Sequence, residues 1–544
     1  MLAPEVAFVR MGLFVMPLGM DHGKAKLGSL DFLTSDTVRT QMALDYSHIE
    51  TVRAGAAHSQ EGSAELPKLD LCVMNPPFVR SVGGNLLFGS LPDERGRLQT
   101  ELKRRVKQIG ASATAGLGSV FVALADRWLN PEGRLAFVLP AALASGEAWA
   151  DTRVLIAVKY HLETVVSSHD AERPNFSENT DLSELLFIAR KLKPKEKAGR
   201  TTYIGLWRNP RSIHESIDLA YRIVQVGEAV PLESSGITSI SGPSGKLAEI
   251  TTALAASGEQ NWTGALFAQT ELLRICLALE HGQLRWPWNR EVTPLPLCRL
   301  DSLGALGPDR KRIHEGFKVT SDDWTPYPAF WGHESANVRT ITQKPNARLS
   351  VWLESPRGPD YGPHLWERAG NILLVERLRS NTHRVIAVGF EKEVLGNTWW
   401  ALKPHELNKQ QEKALLLWLN SSLALLLVFG RRVITQGAWM QLKQPAWQSM
   451  PVLDVTKLSA KQLHEFETTY DSLGTEELQP LAQLTKDATR CSIDAAISRV
   501  FNLPDLLSIR ELLEREPGLS ARDITPRKII IEDQEQDEAS LLFP

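Results

Sequence analysis

The chain has 544 residues, 43% hydrophobic and 23% charged, with a formal net charge of -3. Its length predicts roughly two to four domains. The charge excludes a histone-like or tail-type nucleic-acid binder, which is basic throughout, and leaves room for a basic cleft on a mixed surface.

The N-terminal stretch "MLAPEVAFVRMGLFVMPLGMDHG" is broken by Glu5 and Arg10 and has no basic region ahead of an apolar core, so it does not read as a signal peptide. "AKLGSLDFL" reads as a strand and then a loop. "LDLCVM" (Leu69 to Met74) is apolar on both faces, as expected of a strand in a parallel sheet covered by helices. "VFVALADRWLNPEG" is an amphipathic helix ended by Pro131 and Gly133. "RLAFVLP" is a strand, "ADTRVLIAVKYH" a helix, and "LETVVSSH" and "LSELLFIARKL" are strands. The alternation of β and α predicts a doubly wound α/β sheet up to about residue 195.

The charged run "KPKEKAGR" marks a boundary. Residues 232 to 246, "LESSGITSISGPSGK", read as a Ser/Gly-rich linker. From Asn261 to Val455 the chain is rich in Trp, Pro and Arg, in short irregular segments. Thirteen of the 15 tryptophans follow residue 200, which concentrates aromatic surface outside the α/β part. The most apolar stretch, Ala414 to Gly430, carries Asn420, Ser421 and Ser422 at its centre. It falls short of the roughly 20 apolar residues of a membrane span and reads as a core helix. The chain beyond Leu458 looks helical, and "EDQEQDEAS" is an acidic, mobile end. Cys72, Cys276, Cys298 and Cys491 have neither zinc-ligand spacing nor a disulfide framework, which fits a reducing cytoplasm.

Asn75-Pro76-Pro77-Phe78 ends the Leu69–Met74 run, where open α/β sheets bind ligands. Two prolines fix the backbone and remove two N–H donors, so local carbonyls face outward as acceptors. Asn75 adds a side-chain carbonyl and Phe78 a flat apolar face. Two acceptors beside a stacking surface suit a planar group bearing an NH2, such as adenine or cytosine. Acceptors on both hydrogens favour a more tetrahedral nitrogen, whose lone pair can attack an electrophile. In a duplex such a base must first be flipped out.

These residues resemble the Asn-Pro-Pro-aromatic motif of the amino-methylating DNA methyltransferases, the N6-adenine branch in particular. The resemblance extends through "GLGSVFVALADRWLNPEGRLAFVLP" and "NFSENTDLSELLFIARK", and covers about the first 195 residues. It implies S-adenosyl-L-methionine (AdoMet) as cofactor, double-stranded DNA as partner, and catalysis at Asn75, Pro76, Pro77 and Phe78 without a metal. It implies that Phe176 also stacks on the base. "LGSLDFL" looks like the family's Gly-x-x-Asp-Phe loop, whose acid, here Asp31, contacts the cofactor's adenine, with Asn75 also near the cofactor. The stretches "NTWWALKP" and "LLLWLNSSLALLL...PAWQSMPV" look like target-recognition regions of type II and type I-like modification enzymes.

The family's Gly-rich cofactor loop and its ribose-binding acid have no counterpart before Asp31, where "PEVAFVRMGLFVM" looks like the helix that follows that acid. "SSGITSISGPSGK" lacks the preceding apolar strand and, with Ile240 in place of a glycine, is not a P-loop. "SVGGN" reads as a mobile loop. "PDERGRLQTELK" formally matches a PD-ExK nuclease pattern but is a polar, helix-like stretch. His314-Glu315, His333-Glu334 and His464-Glu465 lack a second histidine one turn on. Arg310, Lys311, Arg312, Arg431 and Arg432 are candidates for phosphate contact.

The expectation is a partial Rossmann-like methyltransferase sheet over residues 1–195, N-terminally incomplete. A linker and helical connector (196–260), an α+β target-recognition domain (261–455) and a C-terminal helical region (456–544) follow. The activity is N6-adenine methylation in a restriction-modification or phage-defence system, with another subunit supplying the lacking part. The alternatives are a DNA-binding or complex-forming subunit without cofactor, or methylation of cytosine N4 or a protein glutamine.

Overall fold

The computed structural model describes residues 12–45 less 17 and 41, 62–78, 91–109, and 111–520 less 171, 174, 178–182, 227–228, 235, 244, 255–261, 288–290, 322–323, 333–334 and 435–438. Its architecture is mixed α/β, with two seven-stranded mixed sheets.

The first sheet is built from β1 (Leu69–Met74), β2 (Leu129–Pro140), β3 (Tyr160–Ser168), β4 (Glu184–Lys191), β5 (Arg200–Leu206), β6 (Thr238–Gly242) and β7 (Gly245–Leu254). Their order is β6-β7-β5-β3-β4-β2-β1. β1 and β2 are parallel, as are β3 and β5, and β4 runs antiparallel between β2 and β3. β1, β2, β3 and β5 therefore end at one edge, where β4 begins.

Alternation along β2 and β4 turns Leu135, Phe137, Leu139, Leu185, Phe187 and Ala189 into the core. Phe137 and Phe187 stack across the pair at 5.9 Å. Helix α1 (Pro92–Ile109) and helix α2 (Leu117–Trp128) share a second core with Leu30, Phe32 and Leu33. α2 is buried almost all round because it lies between that layer and the sheet. It approaches closely at Gly118, where a Cβ would stand 2.8 Å from Leu139.

Four expectations are corrected. β1 is the edge strand among the described residues, and Leu71 and Val73 are 59% and 69% exposed, so only the Cys72 side is covered. Gly12–Val15 forms a strand with Met42–Asp45 rather than a helix, and residues 1–11 lie outside the described residues. The stretch expected to be linker and helical connector supplies β5, β6 and β7 and helix α4 (Ile213–Gln225), which follows α3 (Ala150–Lys159). "SISG" and "GK" belong to the β6–β7 hairpin, Ser241 facing Lys246 and Gly242 facing Gly245, with Gly245 at φ +109°. "SVGGN" and the acidic end fall outside the described residues.

The chain from 261 to 455 is not irregular. Its sheet combines β8 (Gly304–Leu306), β9 (Phe317–Thr320), β10 (Tyr327–Phe330), β11 (Ala347–Val351), β12 (Gly370–Val375), β13 (Ala387–Gly396) and β14 (Trp399–Pro404), in the order β8-β14-β12-β13-β10-β11-β9. Helix α5 (Thr270–Glu280) links the two halves. Its first turn is capped from afar: Thr270 N–H donates to Glu249, and Ala268 and Gln269 N–H donate to Glu516 Oε1 and Oε2 at 2.7 and 3.2 Å. Burial pushes the Glu516 carboxyl up to about 7.

No single described helix is long and apolar enough to cross a membrane. The apolar stretch is two buried helices, α6 (Lys409–Leu419) and α7 (Ser422–Arg431), bent by 65°. The bend is stabilised at Asn420. Its Oδ1 accepts from Ile386 N–H at 2.9 Å, and its Nδ2 donates to Ala387 O and Leu416 O at 2.8 and 2.9 Å. Ser421 caps α7 through Ala424 N–H. Ser422 donates its hydroxyl to Asp494, on helix α9 (Ala488–Phe501), which follows α8 (Ala460–Leu473) and precedes α10 (Leu507–Arg515).

Asn420→Leu fills the volume but leaves the backbone groups of Ile386 and Ala387 without partners. The expected loss is about 2–4 kcal/mol, read as a lower urea midpoint at unchanged m-value.

Candidate functional site

The carboxyl edge of the first sheet gathers the loops after β1, β2, β3 and β5. Asn75 emerges from β1 exposed, Pro76 is buried, Pro77 is exposed and Phe78 is half-buried. Asn75 Nδ2 donates to Ser177 Oγ at 3.2 Å, joining positions 102 residues apart. Among the described residues, Asn75 Oδ1 has no partner.

The segment carrying Ser177 is pinned from below. Phe176 and Ser177 N–H both donate to Glu184 Oε2, at 2.7 and 2.8 Å. Glu184 opens β4 opposite Pro140 and is buried; its Oε1 has no partner among the described residues. The start of the same loop is tied by Asp170. Its Oδ1 accepts from Glu172 and Arg173 N–H, and its Oδ2 from Asn209 N–H. Asn209 Nδ2 in turn donates to Arg173 O and Asn175 O. Phe176 is half-buried against the cluster of Ile204, Leu206 and Ile250, so part of its ring belongs to the core.

Asp31 is elsewhere. It is buried in the turn Gly28–Leu33, accepts from Leu27 N–H at 3.1 Å and pairs with Arg105 at 2.5 Å. It lines a 1090 Å³ cavity between the Leu18–Leu27 hairpin and α1, with Lys24, Lys26, Arg97 and Arg104. Both of its oxygens are engaged by the protein. On α1, Glu101 of the nuclease-like pattern is held by Arg104 and Arg105, which lower its pKa to about 2.

A second concavity, of 1640 Å³, lies on the other sheet. Its wall includes Arg310, Lys311, Trp331, Lys344, Arg377 and Trp439, and it reaches Glu147 in the loop after β2. Glu147 belongs to the loop that follows the carboxyl end of β2, the strand beside β1. Arg310 and Lys311 open the short helix Arg310–Gly316, and Arg312 lies 3.9 Å from Asp309. Trp399 and Trp400 are buried packing residues. Two basic candidates are corrected. Arg431 pairs with Glu280 at 3.1 Å and donates to Ser449. Arg432 is buried, donates to Phe429 O and Leu266 O, and is pushed down to about 9 by burial. Neither guanidinium is free for a phosphate.

Ser177, Glu184, Asp170 and Asn209 were missed by sequence reasoning. A carboxylate opening an apolar strand was the available signal for Glu184. Among the described residues no three His, Cys, Asp or Glu side chains are grouped to hold a metal.

A scan against protein-family models finds no match, and a search of curated proteins finds none. Solved structures are loosely similar. The type IIG restriction endonuclease BpuSI shares 13% identity over 84% of this chain and 54% of its own, with a TM-score of 0.32. The type IIL restriction-modification enzyme MmeI in complex with DNA shares 12% over 82% and 57%, with a TM-score of 0.38. A type I restriction-modification methyltransferase subunit from Streptococcus thermophilus shares 16% over 30% and 33%, with a TM-score of 0.21. The chain thus spans little more than half the length of the first two. At these values the functional reading rests on the site itself.

His383 lines the groove and is buried; its Nδ1 accepts from Arg379 N–H at 2.9 Å, which requires the neutral ring. Burial holds its pKa down at about 4. The unfolded chain binds this proton near pH 6.5 and the folded chain only near 4, so this stability is present above 6.5 and lost as pH falls toward 4. The loss is about 3 kcal/mol at most. Urea titrations at about pH 7 and about pH 4.5 should show a smaller difference for His383→Gln than for the wild type.

Proposed function

We propose that the edge bearing Asn75 holds a flipped adenine by its 6-amino group, as the substrate site of a DNA N6-adenine methyltransferase of a cytoplasmic restriction-modification or phage-defence system. The observation that carries this reading is the Asn75–Ser177 hydrogen bond. It orients the amide so that Oδ1 stays open as an acceptor, and it draws the loop of Phe176 to the motif. Asn75 Oδ1 and the Pro76 carbonyl accept the two amino hydrogens, Pro77 keeps the turn rigid, and Phe78 and the free part of Phe176 flank the ring. The groove takes the flanking duplex, with Arg310 and Lys311 on phosphates and Arg312 at its margin.

The described residues do not make a full holder for AdoMet. Asp31 is committed to Leu27 and Arg105, and among the described residues no loop at this edge is Gly-rich. The same observation favours a second reading, a DNA-binding or complex-forming subunit whose cofactor site another subunit completes.

The purified chain is incubated with unmethylated genomic DNA and AdoMet, and the digest is read by mass spectrometry for N6-methyladenine. Wherever the wild type gives product, alone or with a subunit that completes its cofactor site, the rate is expected to be at least about a hundredfold lower in Asn75→Ala at unchanged DNA affinity. DNA binding without product, together with no calorimetric signal on titration with AdoMet, selects the second reading. Equal rates in wild type and Asn75→Ala would sink the amino-holding role.

For the groove, Arg310→Ala and Lys311→Ala should each weaken DNA binding for all sequences and lower the salt slope by about 1. Arg432→Ala should leave that slope unchanged and lower the melting temperature instead.

A further inference from the structure

Helix α4 carries two apolar faces. Leu219 and Ile223 pack inward on the cluster of β5, β6 and β7. Ile213, Ile217, Tyr221 and Val224 point the other way and are 77%, 62%, 63% and 78% exposed, with Ala220 exposed among them. A helix packed on one face has a polar outer face by default. A continuous outer stripe of four large apolar side chains is the kind of patch that marks an interaction site.

The spacing of the stripe identifies its occupant. Ile213, Ile217, Ala220 and Val224 recur at intervals of four, three and four, the seam of a two-helix coil. That order reads the same from either end. An antiparallel second copy, related by a two-fold axis passing between Asp218 and Leu219, sets Ile213 against Val224 and Ile217 against Ala220. The small Ala220 side chain lets the helices approach at the centre. The flanking positions, His214, Ser216, Tyr221 and Ile223, bring no carboxylate or permanent cation opposite its like. Glu215, Asp218 and Arg222 lie outside the seam, and the last two pair with each other at 3.8 Å. Burying the stripe removes roughly 500 Å² from each copy, about 1,000 Å² in all, near the lower bound for a specific interface.

We propose that α4 is a two-fold self-association surface, and that its partner is a second copy of this chain. The proposal is independent of the reading of the Asn75 edge.

Sedimentation velocity of the full chain from about 1 to about 200 µM tests it, the range expected of an interface this small. The wild type should shift from monomer to dimer. Ile217→Lys and Ala220→Glu, each at an exposed position, should stay monomeric with unchanged circular dichroism and melting temperature. An equimolar mixture of the two variants should regain the dimer, because Ile217 of one copy faces Ala220 of the other and the two introduced charges are opposite in sign. A wild type that stays monomeric overturns the proposal and assigns the stripe to a different protein. Dimers that persist in both variants, or a mixture that stays monomeric, overturn the seam and its register.

Discussion

One antiparallel strand governs the arrangement of the site. β4 is inserted between β2 and β3 against their direction, so its first residue lies where its neighbours end. A carboxylate at that point, Glu184, takes two consecutive backbone donors from the incoming loop. A single carboxylate oxygen accepting two N–H groups fixes the orientation of both peptides, because neither finds another acceptor in the buried surroundings. Ser177 is presented to Asn75 as a result. A parallel strand in the place of β4 would end there, and the loop would have no carboxylate beneath it.

The second half is organised by buried charge. Arg432, Arg490 and Arg510 are each enclosed, and each meets backbone carbonyls or carboxylates from distant segments. Such groups are costly to bury and more costly to leave unpaired, so they tie segments into one arrangement. Asp494 illustrates the case: Arg510 and Ser422 both donate to it, and burial still pushes its pKa upward. Arg490 reaches the groove most directly, since it holds the carbonyl of Arg384 next to the lining residue His383.

Much of the α/β part was legible because its signals are local. β2, β3 and β4 are runs of alternating or continuous apolar residues, and α2 has a clear period. The Asn-Pro-Pro-Phe turn was legible because its four residues are contiguous. Ser177 and Glu184 were not, since their role depends on a pairing across 102 residues and on strand direction. The β6–β7 hairpin reads as a linker in sequence because Ser and Gly serve turns and linkers alike; Ile240, Ala248 and Ile250, alternating inward, are the countersign. The strands of the second sheet are three to ten residues long and interrupted by prolines, which hides their period. Arg432 read as surface because a basic pair after an apolar helix usually is. Its burial follows from carbonyls at Leu266 and Phe429 that no local pattern announces.

The capping of α5 by Glu516 has a consequence for biosynthesis. The ribosome delivers Ala268 and Gln269 long before Glu516, 248 residues later in the case of Ala268. At about 5–20 residues per second, that interval lasts roughly 12–50 s. Throughout it, two amides at the start of α5 have water or a chaperone as partner, and the apolar surface beneath α10 is open. The junction between the two sheets is therefore completed only once the segment carrying Glu516 has been made. A pause before Glu516 would leave a chain with both sheets formed and the joint between them unsealed.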